Sequence, residues 1–479
     1  MTYNIINADI REWAKKYDGP KFHAILSDPP YNLESITKRF GKKDSAPAKF
    51  GTDGVYGRHS GGFMGMVWDS SVAFDPELWH DIGQHLLPGA YLLAFGGTRT
   101  QHRLICAIED AGFMIFDLIA WLHGQGFPKN HNISKQIDRS NGAKREVISI
   151  SNRGSGAQPN KLNNHARGDT GIGYADGSGK SFDITCPATD MAKIWDGYGT
   201  ALKPAFEIIV VARKPVEGTI ANNCVTYGSG ALNIDGCRVE GEVPSVPMPL
   251  GGTGNIYGFK NGTGRNGEMS TPSSLGRWPA NLIHDGSEEV LEGFPHSTSG
   301  AMKKPYKYTN NGFSLGAPAG STKTICEASE GSAARFFYCA KASKRERDLG
   351  CEEMEESEQD HNRFDKCAKC GGYLLQNPDR PSACKCEEPE RIHAKSRNSH
   401  PTVKPLALTE YLARLILPPV EYSPRRLLVP FAGSGSEMIG AHQAGWDEIV
   451  GVELSEEYTK IAEARLKHWT SIPKQMEFK

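Results

Sequence analysis

Residues 425–454 read RRLLVPFAGSGSEMIGAHQAGWDEIVGVEL. An apolar run at 425–431 enters Ala432-Gly433-Ser434-Gly435-Ser436, a helical stretch follows to Gly445, and a second apolar run closes at 448–454. Continuous apolar runs joined through a glycine turn and a helix are the pattern of buried parallel strands. Glycines in such a turn let the backbone reverse tightly and let a ligand come close. The second run carries Glu453 at its end, where a carboxylate can accept hydrogen bonds from both ribose hydroxyls of a nucleoside. Alone, the stretch fits any Rossmann-like nucleotide site, a dehydrogenase included, or a purely structural glycine turn.

Outward from this stretch the same alternation recurs. YNIINADI (3–10) and KFHAILS (21–27) read as strands, and 79–88 as a helix. YLLAFGG (91–97) reads as a buried strand, and the polar residues 98–102 open a helix through Ala111. FMIFDLIAW (113–121) and FEIIVVARK (206–214) are further strands, and helices are expected at 406–416 and 456–469. Alternating strands and helices predict a doubly wound α/β sheet. Residues 124–200 form a long polar insertion, a length uncommon for a loop without a function. Residues 216–395 are rich in Gly, Pro and Asn, with short strands expected in GRWPANLIHD (276–285) and RFFYCAK (335–341).

Asp28-Pro29-Pro30-Tyr31 ends the second apolar run, at the carboxyl end of a strand, where open α/β sheets place ligands. Two prolines fix φ and remove two N–H donors. What remains is an acceptor-only lip beside an aromatic ring, suited to holding and stacking an amino group. In isolation the tetrapeptide is also an ordinary proline strand terminator. His400-Pro401-Thr402-Val403-Lys404-Pro405 precedes the helix at 406–416; by itself it is a proline-rich linker with Pro405 near the first helical turn.

In the order DPPY, HPTVKP, FAGSG (431–435), these motifs resemble the beta group of DNA amino-methyltransferases, over roughly 1–215 and 396–470. Segments such as WLHGQGFPKN and YGTALKPAFEIIVVARKP resemble phage- or prophage-type DNA methylases. The resemblance implies a circularly permuted, Rossmann-like sheet of the S-adenosylmethionine-dependent type. It implies a target-amine half at 1–215, a target-recognition region at 216–395 and a cofactor half at 396–479. Asp28 and the Pro29 carbonyl would take the two hydrogens of the target amine, with Pro30 shaping the lip and Tyr31 stacking on a flipped-out base. Phe431, Ala432, Gly433, Ser434 and Gly435 would line S-adenosylmethionine and Glu453 would hold its ribose. Asp9 and Ile10 would meet its adenine, and Asp28, Thr402, Lys404 and Pro405 would close the methionine end. Because cofactor and amine motifs must face one pocket, the strand ending at Asp9 should lie beside the strand ending at Glu453.

The resemblance makes double-stranded DNA the partner and adenine N6 the preferred target, with cytosine N4 open because both amines present the same donor geometry. An RNA or protein acceptor and an inactive DNA-binding homologue are the other readings. The motif order argues against the former. Val429, where the family has an acid, is the one hint of the latter. Ser436 replaces the usual Thr but keeps a hydroxyl. A homodimer is compatible with the resemblance.

The 479 residues carry a net charge of -1 and 38% hydrophobic residues, so any DNA surface must be local. No run approaches the ~18 apolar residues of a membrane span, and the first residues lack a signal-peptide pattern. Eleven cysteines, an odd number, do not suit a secreted disulfide framework. These features lead to a cytoplasmic expectation, in a bacterial host or phage-encoded. Cys367-x2-Cys370 and Cys384-x-Cys386 have metal-ligand spacing, and a knuckle at 365–388 too small to bury a core would be held by structural zinc. Free thiols or a redox Cys-x-x-Cys are the alternatives. The basic run KASKRER just before it supplies Lys341, Lys344, Arg345 and Arg347 as expected phosphate contacts.

Overall fold

The computed structural model describes residues 2–32, 71–124, 126, 130–151, 182–241, 276–299, 306–307, 322–323, 329–340, 346–354, 357–358, 366–367, 391–392, 395–400 and 402–471. The chain divides into two compact units. One comprises Met1–Gly124, Phe206–Glu346 and Thr402–Lys479, the other Gln125–Ala205 and Arg347–Pro401. The linear region 216–395 is thus shared between both units.

The first unit is built on a nine-stranded sheet. Its strands are β1 (Thr2–Asn7), β2 (Phe22–Ser27), β3 (Leu86–Gly96), β4 (Met114–Leu122), β5 (Phe206–Arg213), β6 (Leu282–His284), β7 (Tyr338–Cys339), β8 (Arg426–Pro430) and β9 (Glu448–Glu453). The spatial order is β1-β9-β8-β2-β3-β5-β4-β6-β7. Only β5 runs against its neighbours, pairing antiparallel with β3 and β4. β1 pairs in parallel with β9, Asn7 opposite Glu453, as two motifs facing one pocket require.

Alternate strand residues point into two cores, which is why these runs are apolar throughout. Ala24, Leu26, Leu93, Phe95, Ile209, Val211, Leu427 and Val429 face one layer. Ile25, Leu92, Ala94, Val210, Ala212 and Leu428 face the other. The second layer is covered by α1 (Ile10–Lys16), α2 (Pro76–Gln84) and α3 (Gln101–Asp110), through Trp13, Trp79, Ile82 and Leu104. The first is covered by α5 (Leu406–Leu415), α6 (Ser436–Ala444) and α7 (Glu456–Ser471), through Leu408, Leu412, Ile439 and Leu466, α4 being Ile220–Tyr227. Each large side chain so buried is worth about 1.5–3 kcal/mol. Helices start where sequence chemistry allows: Asp9 and Asp75 accept the N–H groups of Arg11 and Glu77 as N-caps, and Pro76 takes the first turn of α2.

From β8 the chain moves through α6 to β9, toward one edge. From β2 it moves to β3, toward the other. The adjacent pair β8 and β2 is therefore the topological switch point, and the crevice beyond their carboxyl ends is the expected ligand position.

The insertion at 124–200 is not a structureless loop in its described part. In the second unit a helix, Ile133–Ser140, an antiparallel pair, Val147–Ser151 with Phe182–Thr185, and a short helix, Asp190–Ile194, are present. They converge on buried Asp138, which accepts hydrogen bonds from Arg145 Nη1, Thr189 Oγ1 and the amides of Ala188 and Thr189, all within 3.0 Å. In the same unit two antiparallel pairs are nested, Ser357–Glu358 with Lys395–Ser396 and Lys366–Cys367 with Arg391–Ile392. Among the described residues no helix is long and apolar enough to cross a membrane.

Candidate active site

The tips of β2 and β8 are joined by the Ser27 hydroxyl, which donates to the Pro430 carbonyl at 3.2 Å. Beyond β8 the backbone turns through left-handed conformations at Phe431 (φ 62°), Gly433 and Gly435 (φ 79°). For Phe431 this costs about 1–3 kcal/mol and is held by its surroundings. At Gly435 a side chain would be strained by the left-handed φ and crowded by Ala462, whose Cβ would lie 3.1 Å from an added Cβ. Fully buried Arg465 braces the turn from α7, donating to the Ser434 carbonyl and to the hydroxyls of Ser434 and Ser436.

Glu453, at the end of β9, is 7% exposed. Its two carboxylate oxygens accept the amides of Gly433 and Ser455, each at 2.8 Å. A carboxylate has about four acceptor positions, so one per oxygen remains for a ligand's hydroxyls. Burial raises its pKa against those two N–H groups and that of Leu454. The amide of Ala8 donates to the Glu453 carbonyl at 2.9 Å, bringing the end of β1 to the same place. Asp9 there is engaged by Arg11, whose guanidinium lies 2.6 Å away. Ile10 is buried among the core residues of α1.

Beyond β2, four side chains from three parts of the chain meet: Asp28 and Tyr31 on the turn after β2, Glu207 on β5 and Lys404 before α5. Lys404, 8% exposed and just before α5, places its ammonium 3.1 Å from Asp28 Oδ2, from Glu207 Oε2 and from the Tyr31 hydroxyl oxygen, so all three N–H bonds are used. It also lies 4.7 Å from the centre of the Phe95 ring, a cation–π distance. The Tyr31 hydroxyl is 3.0 Å from Asp28 Oδ1 and 3.2 Å from Glu207 Oε2 and gives its one proton to either. Pro29 and Pro30 are buried.

One cation thus serves two carboxylates. Burial drives the Asp28 pKa up; Lys404 opposes this and Glu207 adds to it. For Glu207 burial also acts upward, but Lys404 outweighs it and the carboxyl is held below its usual value. For Lys404 burial acts downward, and the two carboxylates overcome it. A fifth group, Glu437 at the start of α6, is buried, and burial followed by the charge of Asp28 pushes it to about 7.

The structure therefore brings Asp28, Tyr31, Lys404, the 431–435 turn and Glu453 to one end of the sheet. Thr402 is exposed and Pro405 is buried at the N-terminal cap of α5. Glu207, Glu437 and Arg465 were not expected from sequence. The one available signal was an acid at the start of the otherwise apolar FEIIVVAR. Arg347, in the second unit, donates to the carbonyls of Asn398 and His400. Lys341, Lys344 and Arg345 lie outside the described residues, as do Cys370, Cys384 and Cys386. Cys367 lies in a paired strand. Among the described residues no group of three or more His, Cys, Asp or Glu could hold a metal.

No protein-family model matches the chain. It is similar to the type II methyltransferase M.HindIII of Haemophilus influenzae, at 24% identity over 249 residues. That match covers 48% of this chain and 64% of the relative. Among solved structures it is similar to an M1.HpyAVI–SAM complex, with 12% identity, TM-score 0.33, and 97% and 99% of the two chains covered. The corresponding values are 12%, 0.32, 98% and 95% for TTHA0409, a putative DNA modification methylase from Thermus thermophilus. For the cytosine-N4-specific PvuII DNA methyltransferase they are 9%, 0.37, 97% and 86%.

Proposed function

We propose that the protein is an S-adenosylmethionine-dependent DNA methyltransferase acting on an exocyclic base amine, adenine N6 by preference. The observation that carries this reading is the placement of Asp28 and the glycine turn on adjacent strands at the switch point. The similarity to M.HindIII supports it, as does the permuted motif order.

The residues present fit the cofactor. The 431–435 turn would receive it, Glu453 has acceptor capacity for its ribose, and Asp9 and Ile10 lie at the end of the neighbouring strand. When bound, S-adenosylmethionine supplies a methyl group already activated by its sulfonium. Asp28 and the Pro29 carbonyl accept the two amine hydrogens, draw the nitrogen toward tetrahedral geometry and expose its lone pair. Holding the amine in line is worth up to about 7–11 kcal/mol. To do so Asp28 exchanges part of its hold on Lys404 and Tyr31 for the amine. Extruding the base from duplex DNA costs a few kcal/mol, and stacking on Tyr31 offsets part of this. DNA as substrate sets the work in the cytoplasm of a bacterial host.

Incubation with labelled S-adenosylmethionine and plasmid, followed by nucleoside digestion, tests the reading. N6-methyladenine is expected, and N4-methylcytosine would move the target. Unlabelled DNA despite cofactor binding would overturn the reading. Asp28→Ala should bind cofactor and transfer nothing.

A structural zinc on Cys367, Cys370, Cys384 and Cys386 belongs to the same proposal. The pairing of Cys367 with Arg391 supports it, because it draws the two ends of the cysteine segment together. The basic stretch holding Lys341, Lys344 and Arg345 is assigned to DNA phosphates.

A further inference from the structure

We propose that Asp28, Tyr31 and Glu207 form a proton exit route, carrying to solvent the proton that the target amine must lose as it is alkylated. The inference rests on the amine-methyltransferase reading and extends it to a residue with no motif to mark it. An alkylated amine nitrogen carries a positive charge and one hydrogen too many. Asp28, the residue assigned to that amine, is 16% exposed, and the base itself would cover it. A proton handed to Asp28 therefore needs a way out other than through the bound base.

The geometry supplies one. Asp28 Oδ1, Tyr31 Oη and Glu207 Oε2 stand in sequence at 3.0 and 3.2 Å, within hydrogen-bond reach at each step. The Tyr31 oxygen has capacity for the whole set: it accepts from Lys404 and from a protonated Asp28 while donating to Glu207. The N–H bond of the amine breaks as an O–H bond forms on Asp28. That bond then breaks as Tyr31 gains a proton and passes its own to Glu207. Glu207, 25% exposed against 16% for Asp28, releases it to water. Asp28 returns to its anion and no electrons change hands.

Lys404 is not the carrier. Two carboxylates hold it protonated, and it keeps the oxygens of the route in register. A single carboxylate would neutralise Lys404; the second one is what gives the proton somewhere to go. His123 is the nearby titratable group whose charge acts on Glu207.

The test is single-turnover transfer in the full chain, in H₂O and D₂O, for the wild type, Tyr31→Phe, Glu207→Gln and the double variant. Cofactor binding is measured alongside. Tyr31→Phe keeps the ring and leaves both carboxylates on Lys404. Each single variant is expected to bind cofactor, to slow transfer by about 10²-fold and to enlarge the solvent isotope effect. The double variant should be no slower than the worse single one. Wild-type rate and isotope effect in Tyr31→Phe overturn the route, even if Glu207→Gln is slow, because Glu207 then acts only by placing Lys404. Wild-type protein that labels no DNA instead overturns the underlying reading.

Discussion

Glu437 stands two residues past Gly435 and is buried, with Lys404 and Arg465 acting on it more weakly than burial and the Asp28 charge. Its pKa of about 7 has burial as the first cause and the Asp28 charge as the second. The folded state therefore holds a proton on this carboxyl over a range where the unfolded chain, near 4.5, does not. Stability linked to Glu437 is complete below the unfolded value and falls as pH rises through the folded one. Glu437→Gln should remove that fall, leaving the variant about 1–3 kcal/mol more stable than the wild type at pH 8. The two should converge near pH 4.5, as urea unfolding at a series of pH values would read. Equal slopes in both proteins would refute the assignment. Glu453→Ala is a different case, because two amides lose their acceptor. At about 1–3 kcal/mol for a buried unsatisfied group, the turn should loosen. Cofactor affinity by calorimetry should then drop by tenfold or more; unchanged affinity would remove Glu453 from the ribose role.

Helices α5 and α6 meet at Gly440, where an added Cβ would lie 2.4 Å from Thr409 Oγ1 and 2.6 Å from the Glu410 amide. The neighbour is backbone and cannot swing away. The Thr409 hydroxyl meanwhile donates to the Ser436 carbonyl at 3.0 Å, tying α5 to the first turn of α6. Gly440→Ala gains about 1 kcal/mol of helix propensity and loses about 1–3 kcal/mol to overpacking. A net loss is expected in the urea midpoint, together with weaker cofactor binding, since α6 carries the glycine turn. A midpoint at or above wild type would show that the helices part without strain. At this scale the chain is readable where burial is two-sided. β2, β5, β8 and β9 are continuous apolar runs because both faces are covered, so their limits could be read within a few residues, whereas β3 begins at Leu86, inside the stretch 79–88 read as a helix. β6 and β7 have two or three residues each and only approximate limits in sequence. The helix Ile133–Ser140 was not visible because its organising contact is polar: Asp138 collects donors from Arg145, Ala188 and Thr189, which no hydrophobic period announces.

Across the whole molecule, the legible and illegible parts of the candidate site separate by distance along the chain. Asp28 and Tyr31 are near neighbours on one proline turn, and the glycine turn and Glu453 belong to one crossover; local pattern reveals both. Glu207 meets Tyr31 from 176 residues away and Lys404 from 197, and only the sheet order puts them together. The same division into units gives the metal proposal its sharpest consequence. The residues assigned to the cofactor belong to the first unit, whereas the cysteine segment belongs to the second. If four thiolates hold zinc, the purified chain should contain one zinc per molecule. An organomercurial should release it, and Cys384→Ser should lower the content. Metal removal should open 368–390 to protease, since a stretch of that length is too short to bury a core without the metal. Cofactor affinity should stay within about twofold of the loaded protein, because none of its contacts is built on the knuckle. Absence of zinc in protein grown with the metal, or equal protease resistance with and without it, would leave the cysteines as free thiols.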